Sequence, residues 1–89
     1  MTKTRQHRYK GQQYVMTIEV SREEGEWLAF AKELKSALGV SNRDKNVAIR
    51  GAKANGLLTL SGQMRRDLYS PGSKGAGFDS IVFLIEEKE

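Results

Sequence analysis

The residues of this 89-residue chain best suited to chemistry are cations, and they come in groups. Lys3, Arg5, Arg8 and Lys10 all precede the first acid, Glu19. Between positions 42 and 53, Arg43, Lys45, Arg50 and Lys53 stand against Asp44 alone, with Asn42 and Asn46 among them. Arg65, Arg66 and Lys74 follow, while the tail at 86–89 is net acidic. The formal charge is only +4, so placement says more than the sum. Segregated positive charge suits a polyanion, and nucleic acid is the commonest one. The plainer reading is a solvated, solubilising surface with no polyanion partner.

Other chemistries have little to work with. There is no cysteine, hence neither disulfide nor thiolate chemistry. His7 is the single histidine and has no acidic or thiol cluster around it, so no metal site or other cofactor is expected. Without a second histidine no nucleophile–base pair of the usual kind can be assembled, and no catalytic residue is assigned. The glycine-rich run at 71–77 lacks the Gly-Lys-Ser/Thr that opens a helix in a phosphate-binding loop. A binding protein is expected, not an enzyme. The basic start lacks the apolar stretch of a signal peptide, and the apolar run at 81–85 is too short to span a bilayer, which leads to the expectation of a soluble cytoplasmic protein.

The elements that must position these residues are read from periodicity. Residues 1–11 have little to bury and are expected to form a flexible basic arm, leaving 12–89 as one small domain. At 12–20, Tyr14, Met16, Ile18 and Val20 alternate with more polar residues, the pattern of a half-buried strand. Ser21 and Glu24 have capping-box spacing, and Trp27, Ala31, Leu34 and Leu38 then follow at helical intervals, which predicts a helix over 22–38 closed by Gly39. The spacing predicts strands at 57–62 and 80–86, with a loop over 63–79 that contains the only proline.

The segment 42–55 has two readings. As a helix it has Ser41 as N-cap and Asp44 in its first turn, with Ala48, Ile49 and Ala52 facing inward. Arg43, Asn46, Arg50 and Lys53 then point away, and Gly56 ends the helix. Gly51 is a defect in this reading, costing about 1 kcal/mol relative to alanine. As a hairpin it turns at Asn55-Gly56, the strongest two-residue hairpin signal. The three alanines of its first arm favour the helix.

A helix ending in Leu-Gly-Val-Ser and a second running into Asn-Gly-Leu-Leu-Thr-Leu resemble the helix-turn-helix of winged-helix DNA-binding domains. Gly39 and Gly56, 17 residues apart, fall where that family has its turn glycine and the glycine ending its recognition helix. The chain departs from the pattern at Lys45, where an apolar residue is usual, and in having a basic arm in place of a first helix. The resemblance implies an α+β, winged-helix-like fold in the order β-α-α-β-β with a small three-stranded sheet. The hairpin reading gives β-α-β-β-β. It further implies double-stranded DNA as partner and a role in transcription regulation. Asn42, Arg43, Asn46 and Arg50 would read bases in the major groove, and Lys53 would hold a phosphate. Arg65, Arg66 and Lys74 would sit on a wing, and Arg5, Arg8 and Lys10 would contact backbone. A homodimer would help stabilise so small a core. The competing expectation is a small protein-interaction module, an accessory or inhibitor protein with no nucleic-acid role.

Overall fold

The computed structural model describes residues 13–69 and 80–88. Among them are four strands and one helix: β1 (Gln13–Glu23), β2 (Glu26–Ala31), β3 (Val40–Asn42), α1 (Lys45–Tyr69) and β4 (Ser80–Glu87). The strands form one mixed sheet in the order β3-β2-β1-β4. The β1–β2 and β2–β3 pairs are antiparallel, and β4 runs parallel to β1. The chain is α+β, as expected, but its element order is β-β-β-α-β. The segment expected to form a basic arm, 1–11, and the glycine-rich run at 71–77 lie outside the described residues.

The strand expected at 12–20 is present and continues to Glu23. The helix expected over 22–38 is instead a β-hairpin, followed by turns over 32–39. Two facts explain the correction. Glu24 and Gly25 both adopt positive φ, 51° and 82°, between the paired residues Glu23 and Glu26. That is the backbone of a two-residue hairpin loop of type I′. Second, Trp27, Ala29 and Ala31 lie on one face of β2 and Leu28 and Phe30 on the other, a period of two that the helical stripe shared at 27 and 31. Ser21, expected to cap a helix, sits mid-strand opposite Leu28. Leu38, the last member of the expected stripe, is 74% exposed.

The helical reading of 42–55 is the one the structure shows, with different ends. Ser41 belongs to β3, and Asp44 is the cap: its Oδ1 accepts the N–H of Asn46 at 2.8 Å and that of Val47 at 3.3 Å. Neither the hairpin at Asn55-Gly56 nor the strand at 57–62 forms, because α1 runs through both and on to Tyr69, taking up 63–69 of the expected loop. Asn55, read as a turn residue, donates from Nδ2 to the Leu38 carbonyl at 2.9 Å and ties the 32–39 turns to the helix.

Packing explains why a helix with three internal glycines persists. Ala48, Ala52, Gly56 and Leu60 recur every four residues along its buried side. They seat on Met16, Ile18, Val20, Ala29 and Ala31, the sheet residues of the core. A β-carbon added at Gly56 would stand 2.5 Å from Met16 Sδ and 3.2 Å from the Ala31 β-carbon. At Gly51 it would meet Val40 Cγ2 at 2.9 Å. Glycine is therefore required at these two positions by close approach to the sheet, not by backbone conformation. Gly51, a defect in the isolated helix, is what lets β3 dock.

The open end of the β1–β2 hairpin is closed by a side chain. Lys32 N–H donates to the Thr17 carbonyl at 2.8 Å, and Thr17 N–H donates in turn to Glu33 Oε1 at 2.7 Å. The carboxylate stands where the next ladder carbonyl would be. Desolvation pushes the Glu33 carboxyl up, but hydrogen bonds from the Thr17 hydroxyl and backbone, its own backbone N–H and the nearby Lys32 outweigh it, so its pKa is lowered from 4.5. Tyr14 is raised above 10.0, first by burial and then by the Glu33 charge.

Two stability predictions follow from this packing. Gly56→Val should lower the melting temperature sharply, whereas Gly62→Ala, whose new β-carbon would meet Arg66 Nη1 at 3.6 Å, an ordinary van der Waals contact, should raise stability by about 0.5–1 kcal/mol. Thermal unfolding of both variants checks the contrast. Glu33→Gln should cost about 1 kcal/mol at neutral pH. Because the folded carboxyl titrates below 4.5, the wild-type advantage is complete above that value and disappears as pH falls through the folded pKa. Denaturant titrations of both proteins at neutral and acid pH should converge at acid pH.

Candidate nucleic-acid interface

The start of α1 is built by two asparagine/aspartate turns. Asn42 Oδ1 accepts the Asp44 N–H at 2.8 Å, and Asp44 then caps the helix, with Ala48 N–H donating to the Asp44 carbonyl at 3.0 Å. Asn42 is thus occupied in turning the chain. Of the residues expected to read bases, it is the one with a structural task.

From this cap the helix carries its remaining candidates outward. Arg43, Asn46 and Arg50 are exposed, the last two one helical turn apart. The same outer stripe continues through Ala54, Leu57, Leu58 and Ser61 to Arg65, all exposed. Arg50 and Arg65 are about 22 Å apart along the axis at 1.5 Å per residue. Among the described residues no ion pair involves Arg43, Arg50 or Arg65. Lys53 is turned aside: its Nζ lies 4.8 Å from the centre of the Phe83 ring. Arg65 and Arg66 belong to the last turns of α1 and not to a wing. Lys74, Arg5, Arg8 and Lys10 lie outside the described residues.

Two cations with no assigned role from sequence join this end of the molecule. Lys45 Nζ lies 2.7 Å from each carboxylate oxygen of Glu87 and 4.9 Å from the Trp27 ring centre. The Arg22 guanidinium lies 5.3 Å from the same ring. Arg22, Trp27, Glu87 and Lys88 line an open cleft of about 410 Å³ beside the helix cap. The signal for Lys45 was its place at an expected apolar position, which Trp27 and Glu87 now explain. Arg22 was hidden by the helix expected there.

The charge is divided between the two sides of the sheet. Over 43–66 the chain has Arg43, Lys45, Arg50, Lys53, Arg65 and Arg66 against Asp44, a net +5. Strand alternation puts Glu19, Glu23, Glu26 and Glu86 on the face away from α1, where Lys32 and Lys88 pair with Glu86. The helix side is the basic side.

Among the described residues no group of three or more His, Asp or Glu could hold a metal ion, and no helix is long and apolar enough to cross a membrane. Comparison with known proteins finds no family whose model matches the chain, and no curated protein or solved structure that matches it.

The two cations over Trp27 yield a prediction for this site. Trp27 is the only tryptophan, so its fluorescence reports the cluster directly. Glu87→Gln should release Lys45 from its carboxylate and change the emission of Trp27, with little loss of stability because the pair is surface-exposed and worth about 1 kcal/mol or less. An unchanged spectrum would mean that Lys45 is not held against the ring.

Proposed function

We propose that this protein binds double-stranded DNA, as a cytoplasmic regulator of transcription and not as an enzyme, through the outer face of α1. The observation that carries this reading is the net +5 over 43–66 on one side of a sheet whose other face is acidic. That Arg43, Arg50 and Arg65 are exposed, with no ion pair among the described residues, favours it further. An α-helix fits the major groove, which is about 12 Å wide. Asn46 and Arg50 would face base edges there: arginine makes bidentate contacts to guanine and asparagine to adenine. Arg43 and Arg65 would hold phosphates on either side, and Arg66 would add a contact without sequence content. The proposed mode shares with the winged helix the use of one reading helix. It differs in the support behind that helix, which is the β1–β2–β3 sheet in place of a preceding helix.

The competing reading, a protein-interaction module, draws on Val15 and Leu84, which are 42% and 51% exposed on the acidic face. Retention on heparin at moderate salt separates the two, because only the DNA reading expects it.

Fluorescence anisotropy with a labelled duplex tests the proposal. The logarithm of the binding constant should fall linearly with the logarithm of salt concentration, and Arg65→Ala should reduce that slope by about 0.9, the loss of one phosphate contact. Arg50→Ala should narrow the difference between preferred and random duplexes. Binding unaltered by a combined Arg43→Glu, Arg50→Glu and Arg65→Glu change would defeat the assignment, since all three side chains are exposed and none forms an ion pair among the described residues.

A further inference from the structure

The two edges of the sheet are unlike. β3 is three residues long, too short to offer much of a ladder to another chain. β4 is eight residues long and pairs with β1 without a bulge over its whole length. Its centre, Ile81 to Ile85, is five apolar residues in succession, with no lysine or proline among them. Ile81, Phe83 and Ile85 share the helix side with Met16 and Ile18, while Val82 and Leu84 share the other face with Val15 and Thr17. A strand apolar on both faces has the composition of one enclosed by neighbours. Yet α1 packs on β2, β3 and β1, and β4 lies at the margin of its cover. Leu84 remains 51% exposed and Ile85 46% exposed. Natural sheets protect long edges with charge, proline, a bulge or a covering element, and among the described residues this one has none of these along its apolar centre.

We propose that β4 is the seam of a homodimer, in which it pairs antiparallel with β4 of a second copy about a two-fold axis at Phe83. The sequence of the strand selects this occupant and this register. Centred on Phe83, Ile81 meets Ile85 of the partner, Val82 meets Leu84 and Phe83 meets Phe83, so all five apolar residues find apolar partners. Glu86 then falls opposite Ser80 of the partner, and the acids of the two copies stand at opposite ends of the seam. Shifting the centre to Leu84 would set Glu86 opposite Val82 and Glu87 opposite Ile81. Shifting it to Val82 would set Leu84 opposite Ser80. Such pairing is isologous, the same patch serving both copies. It joins the two sheets into one of eight strands with both helices on the same side. Counted across five strand spacings, the two copies of β2 lie about 24 Å apart. Both basic helix faces would then be presented in one direction, although the seam is argued from β4 alone and does not rest on DNA binding.

Light scattering over a concentration series tests the dimer, with twice the 10.0 kDa chain mass as the expected result. Leu84→Lys should return the mass to that of one chain while leaving the circular dichroism spectrum unchanged, because Leu84 is already half exposed in the protomer. The chain has no cysteine, so crosslinking can fix the register. An equimolar mixture of Val82→Cys and Leu84→Cys proteins, mildly oxidised, should give the mixed disulfide in clear excess over the twofold ratio to each self-paired product that random pairing gives. A single-chain mass at every concentration would overturn the proposal. So would a dimer that survives Leu84→Lys and yields no excess of the mixed disulfide.

Discussion

The close seat of α1 on the sheet is the constraint on which the rest of the structure depends. Alanine and glycine line its buried side, and the sheet answers with Ala29 and Ala31 at the contact and Met16 and Val40 filling what space remains. Small residues give little hydrophobic area each, about 25 cal/mol for every Å² removed from water. What they permit is close approach, so that the larger Met16, Ile18 and Val20 become completely buried beneath the helix. A helix with glycines at 51, 56 and 62 has weak intrinsic propensity and is held by this tertiary burial. The same seat fixes which side chains are left facing solvent: Arg43, Asn46, Arg50 and Arg65 on the helix, and the apolar margin of β4 beside it.

Charge follows the same division. Cations near the helix are handled in two ways. Lys45, Lys53 and Arg22 lie against aromatic rings, covering the flanks of Trp27 and Phe83. Arg43, Arg50 and Arg65 are left in solvent. Glu19, Glu23, Glu26 and Glu86 gather on the far face of the sheet, where Ser41 donates to Glu26 at 2.9 Å, while Glu33 closes the end of the β1–β2 ladder. A duplex approaching the helix side would meet the solvated arginines first, with the aromatic-bound cations at the periphery.

Some of this was legible in the sequence and some was hidden for identifiable reasons. The alternation of Tyr14, Met16, Ile18 and Val20 pointed to β1, and the apolar run at 81–85 pointed to β4. The stretch 22–38 misled because Trp27 and Ala31 satisfy a period of two and a period near four equally, and Ser21 and Glu24 imitate a cap. Its deciding residues are Glu24 and Gly25, whose positive φ makes a hairpin from a sequence without the customary Asn-Gly. The true Asn-Gly, at 55–56, is inside a helix, because Gly56 is needed for contact with Met16 and Asn55 for the Leu38 carbonyl. Leu57 and Leu58 on the outer face blurred the helical pattern and made 57–62 look like a strand. At the candidate site, the outward placement of Asn46 and Arg50 could be read from helical spacing alone. The turn-forming task of Asn42 and the Trp27 cluster could not, since both depend on β2 and β3 lying where a helix was expected.

The most direct test of the account is a map of backbone amide shifts when a short DNA duplex is titrated into the isotope-labelled protein. The account predicts that shifts concentrate at Arg43, Asn46, Arg50 and Arg65, reach the Arg22–Trp27 end, and vanish when salt is raised. Shifts centred on Val15, Phe30 and Leu84 at the far face of the sheet, or none at any position, would contradict it.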